Sequence, residues 1–170
     1  MYLLQTERTA IRKLSLDDAP FIAELVNSPG WLRYIGNSDI HDIHGAEEYL
    51  KNAFMKYHEQ PGYGYYLAQT RNGDPMGICG FLKKPYLEYE DFGFAFLAKY
   101  HGQGLGIEVG RAVLDYGVKQ FSFKVLDAVT HVDNVPSIAL LKKLGFQSIG
   151  VIDFPTTEPG RLFRWRCDVP

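Results

Sequence analysis

Two spacings of apolar residues run through the 170-residue chain. Apolar side chains that return at i, i+3, i+4 and i+7 mark one face of a helix, whereas short apolar or alternating runs between turn residues mark strands. Residues 10–14 form a first such run. Ser15 follows as an N-cap, with Asp18 three residues on completing a capping box. Phe21, Ile22, Leu25 and Val26 then share a helix face, which Asn27-Ser28-Pro29-Gly30 stops. Ala46, Tyr49, Leu50, Ala53, Phe54 and Tyr57 hold helical spacing up to Pro61-Gly62. The middle of the chain changes period. Residues 63–70, 76–83 and 91–98 are aromatic-rich strand runs joined by short turns, with Phe92, Phe94 and Phe96 on one side of the third, as in an antiparallel meander. A glycine-rich loop leads into a helix over residues 107–121. A strand at 125–132, a short helix at 136–144 closed by Gly145, and strands at 147–152 and 161–168 complete the chain.

The predicted order is β-α-α-β-β-β-α-β-α-β-β. It describes an α+β (mixed α/β) fold: a mixed, mostly antiparallel sheet of seven strands flanked by four helices. The length suits a single domain over residues 1–170, with neither repeat nor linker.

Composition narrows the function classes. The chain is 46% hydrophobic and 22% charged, ordinary for a globular protein, and its net charge of −2 lacks the basic stripe that nucleic acid demands. No apolar run approaches the roughly 20 residues that cross a bilayer, and the first 14 residues mix charge with apolar groups, unlike a signal peptide or anchor. Cys79 and Cys167 make neither a disulfide framework nor a metal site, and read as buried thiols of a reducing, cytoplasmic compartment. Monomer and homodimer both remain open.

Candidate chemistry concentrates in His101-Gly102-Gln103-Gly104-Leu105-Gly106, between a strand and a helix. A helix N-terminus offers unpaired N–H groups and a partial positive charge, and glycines let an anion approach the backbone. Such a loop can hold a diphosphate without a lysine. A nucleotide P-loop is excluded, because no Gly-Lys-Ser/Thr is present. A dinucleotide fingerprint competes: Gly104, Gly106 and Gly110 are spaced loosely like one, and Asp127 lies about 20 residues on. Against it, the motif comes late, after a meander rather than at the opening of a βαβ unit, and too little chain follows to build a doubly wound sheet.

Asp91-Phe92-Gly93-Phe94-Ala95-Phe96-Leu97 followed by residues 101–108 resembles the central motif of the GNAT superfamily of N-acetyltransferases, Arg/Gln-x-x-Gly-x-Gly/Ala. Asn134-Val135-Pro136-Ser137 with Leu144-Gly145-Phe146 is similar to the family's Asn-x-x-Ser…Gly-Phe pattern. The segments 4–14, with Thr6-Glu7-Arg8, and 27–36 resemble the branch that includes ribosomal-protein N-terminal acetyltransferases. The resemblance implies acetyl transfer from acetyl-CoA, without metal and without an acyl-enzyme, to an amine acceptor such as a protein N-terminus or a small molecule. It implies that Phe96, Leu97 and Ala98 meet the pantetheine arm through their backbone. Gly102, Gln103, Gly104, Leu105, Gly106 and Ile107 would grip the diphosphate. His101 stands where the family carries Arg or Gln, and serves either as a phosphate donor or as a cap on the loop. Asn134 would bond the pantetheine amides.

An alkyl amine with a pKa of about 10.4 must lose a proton before attack, the oxyanion needs a donor, and the departing thiolate benefits from an acid. Asp91 is the candidate base, with Glu88 and Glu90 behind it; the competing role for Asp91 is a strand-end carboxylate. Many family members place an acidic tyrosine seven residues after the asparagine, where this chain has Leu141. Ser137 can take that role, or can N-cap the short helix. Trp31 and Tyr34, in a predicted loop over residues 31–39, and a hairpin over 154–160 are the candidate acceptor pocket. Glu108 favours the helix dipole and is given no chemistry. A module of the same fold that binds acetyl-CoA without turnover remains the alternative to an enzyme.

Overall fold

The structure is a computed structural model that describes residues 1–60, 63–153 and 159–168. The described residues form one eight-stranded sheet and five α-helices. The strands are β1 (Leu4–Gln5), β2 (Thr9–Lys13), β3 (Gly64–Thr70), β4 (Pro75–Leu82), β5 (Asp91–Phe96), β6 (Val125–His131), β7 (Gln147–Asp153) and β8 (Pro159–Arg166). The helices are α1 (Ala19–Val26), α2 (Pro29–Tyr34), α3 (Ile43–Tyr49), α4 (Leu105–Phe121) and α5 (Val135–Lys143). Sheet order is β1-β2-β3-β4-β5-β6-β8-β7, antiparallel throughout except between β5 and β6.

Two elements exceed the sequence expectation of seven strands and four helices. β1 has two residues, too short for a period to register, and is held by pairing Leu4 with Ile11 and Gln5 with Ala10. α2 begins where Ser28-Pro29-Gly30 reads as a stop. Proline lacks the N–H that the first helical position leaves unpaired anyway, so Pro29 restarts the chain as a helix after α1 has ended. Trp31 and Tyr34 therefore stand on a helix rather than in a loop. The long second helix is also composite: α3 runs on through a π turn (Leu50–Phe54) and a 3₁₀ turn (Met55–Glu59). Its expected end at Pro61-Gly62 lies outside the described residues. The capping box is present, with the Ser15 amide donating to Asp18 at 2.8 Å. Asp18 in turn accepts two bonds from Arg12, at 2.7 and 2.9 Å.

Each sheet face buries its own apolar cluster. Phe81, Phe92, Val109, Val113, Leu141 and Phe146 pack α4 and α5 on one face. Ile22, Leu25, Trp31, Leu50, Leu67 and Ile78 pack α1–α3 on the other. The Phe92–Phe94–Phe96 row read from the sequence is real, with successive ring centroids 5.9 and 6.2 Å apart, on the α4/α5 side. Cys79 is buried as expected, whereas Cys167 is half-buried.

β5 and β6 touch at a single register pair, Asp91 with Asp127, closed by the Asp127 amide on the Glu90 carbonyl at 2.9 Å. Beyond that pair the strands part, and a cleft opens between them. Asp127 is completely buried and holds the junction: it accepts from Arg164 Nε at 2.7 Å and Nη2 at 3.2 Å, and from the Tyr89 amide at 3.3 Å. Removing one partner of a buried pair strands the other's charge. Asp127→Ala is expected to cost about 3 kcal/mol, the low end of that effect because Arg164 keeps Glu88 at 3.1 Å. For a chain of this length that is a fall of roughly 6–12 °C in Tm, readable by thermal denaturation.

Candidate active site

The cleft between the diverging strands has a volume of about 540 Å³. β5 contributes Phe94 and Ala95 to one wall, and β6 contributes Ala128 to His131 to the other. Asn134, Ser137 and Leu141 of α5 extend the second wall, and Trp31 and Tyr34 of α2 cover the far end. Five residues singled out in the sequence, Asp91, Asn134, Ser137, Trp31 and Tyr34, thus meet in one cavity.

Phe96, Leu97 and Ala98 lead out of the cleft to the glycine loop. Much of their backbone is already engaged. The Leu97 amide donates to the Met76 carbonyl at 2.9 Å, and its carbonyl accepts from the Tyr100 amide at 3.0 Å. The Ala98 carbonyl accepts from the His101 amide at 3.0 Å. The His101 ring bonds the Phe96 carbonyl through Nε2 at 2.9 Å, so as a donor it caps the strand end.

The loop itself is built by backbone. Gly102 and Gly104 take φ of +71° and +77°, the left-handed region that disfavours other residues. Among the described residues, none of the six amides from Gly102 to Ile107 donates to a protein group; intramolecular bonding resumes with the Glu108 amide on the Gly104 carbonyl at 3.1 Å. Four of these amides belong to the cap and first turn of the 17-residue α4, whose dipole adds partial positive charge at the same point. This is a cradle of unspent donors at a positive helix end, which suits a diphosphate. Gly106 also lets α4 approach its neighbours: a Cβ there would sit 3.2 Å from Leu140 and 3.7 Å from Phe96.

An arginine that sequence reasoning passed over stands beside this loop. Arg8 Nε pairs with Glu108 Oε2 at 2.7 Å, and its Nη1 donates to the Gln103 carbonyl at 2.9 Å. Its Nη2 lies 3.3 Å from where a Cβ on Gly104 would be. Glu108 also accepts from Thr6 Oγ1 at 2.6 Å and the Arg8 amide at 2.8 Å, and these donors hold its carboxyl below the usual range against the opposing effect of burial. Glu108 is therefore the post that fastens the N-terminal strand pair to the loop, beyond its expected role at the helix dipole. The only sequence signal was the Thr6-Glu7-Arg8 segment.

At α5, Asn134 is the N-cap: its Oδ1 accepts from the Ser137 amide at 3.3 Å. Ser137 sits in the first turn and is not the cap, and its hydroxyl makes no bond to another described residue. Ser137 and Leu141 are four residues apart on one helix face, and both line the cleft. Leu141 is almost fully buried, so the position of the family's tyrosine is filled by an apolar wall.

Asp91, 2% exposed, lies where the cleft closes. Its carboxylate pairs with Lys84 Nζ at 3.0 Å. Burial pushes the Asp91 carboxyl up, and the Lys84 charge only partly opposes this. On Lys84, burial lowers and Asp91 raises, and the pairing prevails, so the ammonium stays charged. The weaker candidates face elsewhere: Glu88 pairs with Arg164 at 3.1 Å, and Glu90 accepts from the Tyr63 hydroxyl at 3.1 Å. Asp127, the acid a dinucleotide site would need on its ribose, is sealed in its pair with Arg164.

Trp31 is both core and cleft wall at 6% exposure, and its Nε1 is buried with no hydrogen-bond partner among the described residues. Tyr34 spans to the opposite wall, its ring centroid 5.6 Å from that of His131 and its hydroxyl donating to the Asp133 carbonyl at 3.5 Å. Tyr65, absent from the sequence candidates, also lines the cleft; it packs against Gly93, and burial raises its phenol. Most of the expected hairpin over 154–160 lies outside the described residues.

Comparison with known proteins agrees with this geometry. Residues 8–147 match the family described as Acetyltransferase (GNAT) domain. The uncharacterised N-acetyltransferase p20 of Bacillus licheniformis is 25% identical over 166 residues, 95% of this chain and 92% of that protein. The coenzyme A complex of RimL, a ribosomal L7/L12 alpha-N-protein acetyltransferase, superposes with a TM-score of 0.84 at 16% identity, covering 99% of both chains. The coenzyme A complex of aminoglycoside acetyltransferase AAC(6')-Ib superposes with a TM-score of 0.76 at 16% identity, covering 93% of this chain and 94% of that one.

Proposed function

The chain belongs to the GNAT acetyltransferase family and is an acyltransferase; from that premise we propose that residues 1–170 are one domain that transfers an acetyl group from acetyl-CoA directly to a primary amine in a ternary complex. The observation that carries this reading is the run of six unspent amides from Gly102 to Ile107 at the N-terminus of α4, joined through residues 96–101 to a strand of the cleft that Asn134, Ser137 and Asp91 line. RimL and the aminoglycoside enzyme, whose folds this chain shares, both bind coenzyme A.

Acetyl-CoA supplies an acetyl group activated as a thioester. The loop amides hold its diphosphate, and Arg8 adds a cation beside them. The pantetheine arm runs along Phe96–Ala98, and the Asn134 amide group, whose Oδ1 is already used as a cap, donates through Nδ2 to it. Trp31 and Tyr34 bound the acceptor end. Asp91 takes the proton that the incoming ammonium must lose, through water at the closed end of the cleft. Ser137, with its hydroxyl unspent, relays to the departing sulfur the proton that the attacking nitrogen still carries, so that the thiol leaves and the hydroxyl is restored. Leu141 keeps water from that side of the thioester. The two free thiols and the consumption of acetyl-CoA fit the cytoplasm.

A thiol-release assay over a panel of amines tests the proposal. Turnover is expected on at least one amine, and acetyl-CoA at 100 times its Kd is expected to stabilise the protein by about 2.7 kcal/mol, with no shift from NADPH. Ser137→Ala is expected to lower kcat about 10-fold with unchanged affinity for CoA, since the thiolate leaves more slowly without an acid. Binding without turnover on any amine would make the protein a sensor of acetyl-CoA.

A further inference from the structure

We infer that the acceptor is a small monoamine bearing a carboxylate close to the reacting nitrogen, of the apolar or aromatic α-amino-acid type, and that a polycationic amine is excluded. This rests on the proposed acetyl transfer and concerns the acceptor end of the same cleft.

The charges on the cleft wall carry the inference. Among the described residues the lining holds the charged side chains of Arg33 and Lys84 against one carboxylate, Asp91. That carboxylate is 2% exposed and already neutralised by Lys84 at 3.0 Å. A polyamine or aminocyclitol would bring several ammonium groups into a cleft whose described residues offer no spare anion to replace their water, and burying unpaired charge is costly. Donors, by contrast, are in surplus. The Lys84 side chain is 31% exposed, so one side of its ammonium remains open to a ligand. The Arg33 guanidinium lies 4.9 Å from the Tyr34 ring centroid, which leaves its N–H edge for an oxygen. The Trp31 N–H, buried behind the wall, has no acceptor among the described residues. The two charged groups of the wall that remain open to a ligand, Lys84 and Arg33, are donors, and they call for an oxygen-bearing anion. The rest of the wall, Trp31, Tyr34, Tyr65, Ile78 and Tyr86, is aromatic or apolar and suits a side chain of the same kind. The cavity of about 540 Å³ must also admit the thioester end of the donor, so the acceptor is small.

Matched pairs of amines isolate the carboxylate. Phenylalanine and phenylalaninamide, leucine and leucinamide, with spermidine and kanamycin as polycations, are titrated into the CoA-loaded protein by calorimetry and run in the thiol-release assay with acetyl-CoA. The expected result is at least 10-fold tighter binding of each amino acid than of its amide, weaker binding still of both polycations, and a ratio that falls towards unity in Arg33→Gln and Lys84→Gln. Equal or tighter binding of the amides or polycations, or no binding by any of the six, overturns the inference. Turnover on spermidine or kanamycin alone overturns it while leaving acetyl transfer intact. Amino-acid binding without thiol release supports it while defeating the catalytic proposal.

Discussion

Gly104→Val is expected to weaken acetyl-CoA binding about 30-fold while leaving the fold in place. Gly104 is the N-cap of α4 with φ +77° and ψ 2°, a conformation that costs a non-glycine residue on the order of 1–3 kcal/mol, the most for a β-branched one. The Arg8 guanidinium, 3.3 Å from the Cβ position, is held by Glu108 and Gln103 and yields little room to the added γ carbons. The loop then either keeps its shape under strain or returns to negative φ and turns the amides of residues 104 and 105 away from one another. About 2 kcal/mol lost at the diphosphate is about 30-fold in Kd. The helix itself survives, because Val109 and Val113 are completely buried and anchor it, while Gly102 and Gly104 carry none of the core. Gly102→Ala is the graded control: its φ of +71° is strained, but its Cβ would meet nothing within 4 Å, so a loss of about 1 kcal/mol, or 5-fold, is expected. Titration of CoA into the three proteins, with thermal melts alongside, reads both effects. A wild-type Kd in Gly104→Val would show that the amide cradle does not hold the ligand.

This loop was legible in the sequence because its chemistry is local. Two glycines that need positive φ, a strand before them and a helix after them occupy a few consecutive residues. Asn134 and Ser137 are equally local, yet the sequence offered Ser137 as the cap and the structure gives that role to Asn134. What the sequence hid is what the sheet brings from afar. Arg8 and Glu108 are 100 residues apart and meet only because the β1–β2 turn lies against the start of α4. Tyr34 reaches His131 across 97 positions, and only once Pro29 is read as opening a helix instead of ending one. Asp127 had the right spacing for a ribose acid, yet its burial against Arg164 depends on β8 inserting beside β6, a non-consecutive pairing that no period in the sequence announces. Lys84 was visible only as one of a lysine pair. Its role beside Asp91 follows from β4 and β5 being antiparallel neighbours, with Leu82 opposite Asp91 and the lysine just beyond.

That pairing shapes the second large expectation, that Asp91→Asn lowers kcat by about 100-fold or more with CoA affinity unchanged. A positioned general base contributes typically about 10²–10⁴ to the rate, and asparagine keeps the size of the group while removing its proton acceptor. The pH profile separates this role from a purely structural one. A base works deprotonated, so wild-type activity falls as pH drops through the carboxyl's pKa. Burial raises that pKa and Lys84 only partly restrains it, so the acid limb lies above the pH at which an ordinary aspartate, with a pKa of about 3.9, would titrate. In Asp91→Asn the residual rate loses that limb. Lys84→Met removes the opposing charge, so the limb moves to still higher pH, because nothing then favours the carboxylate. If Asp91 only ties the strand end to Lys84, Asp91→Asn strands a partly buried ammonium and lowers Tm, but the remaining activity keeps the wild-type pH dependence. An unchanged acid limb in Asp91→Asn would thus assign the proton transfer to another group, whatever the loss in rate.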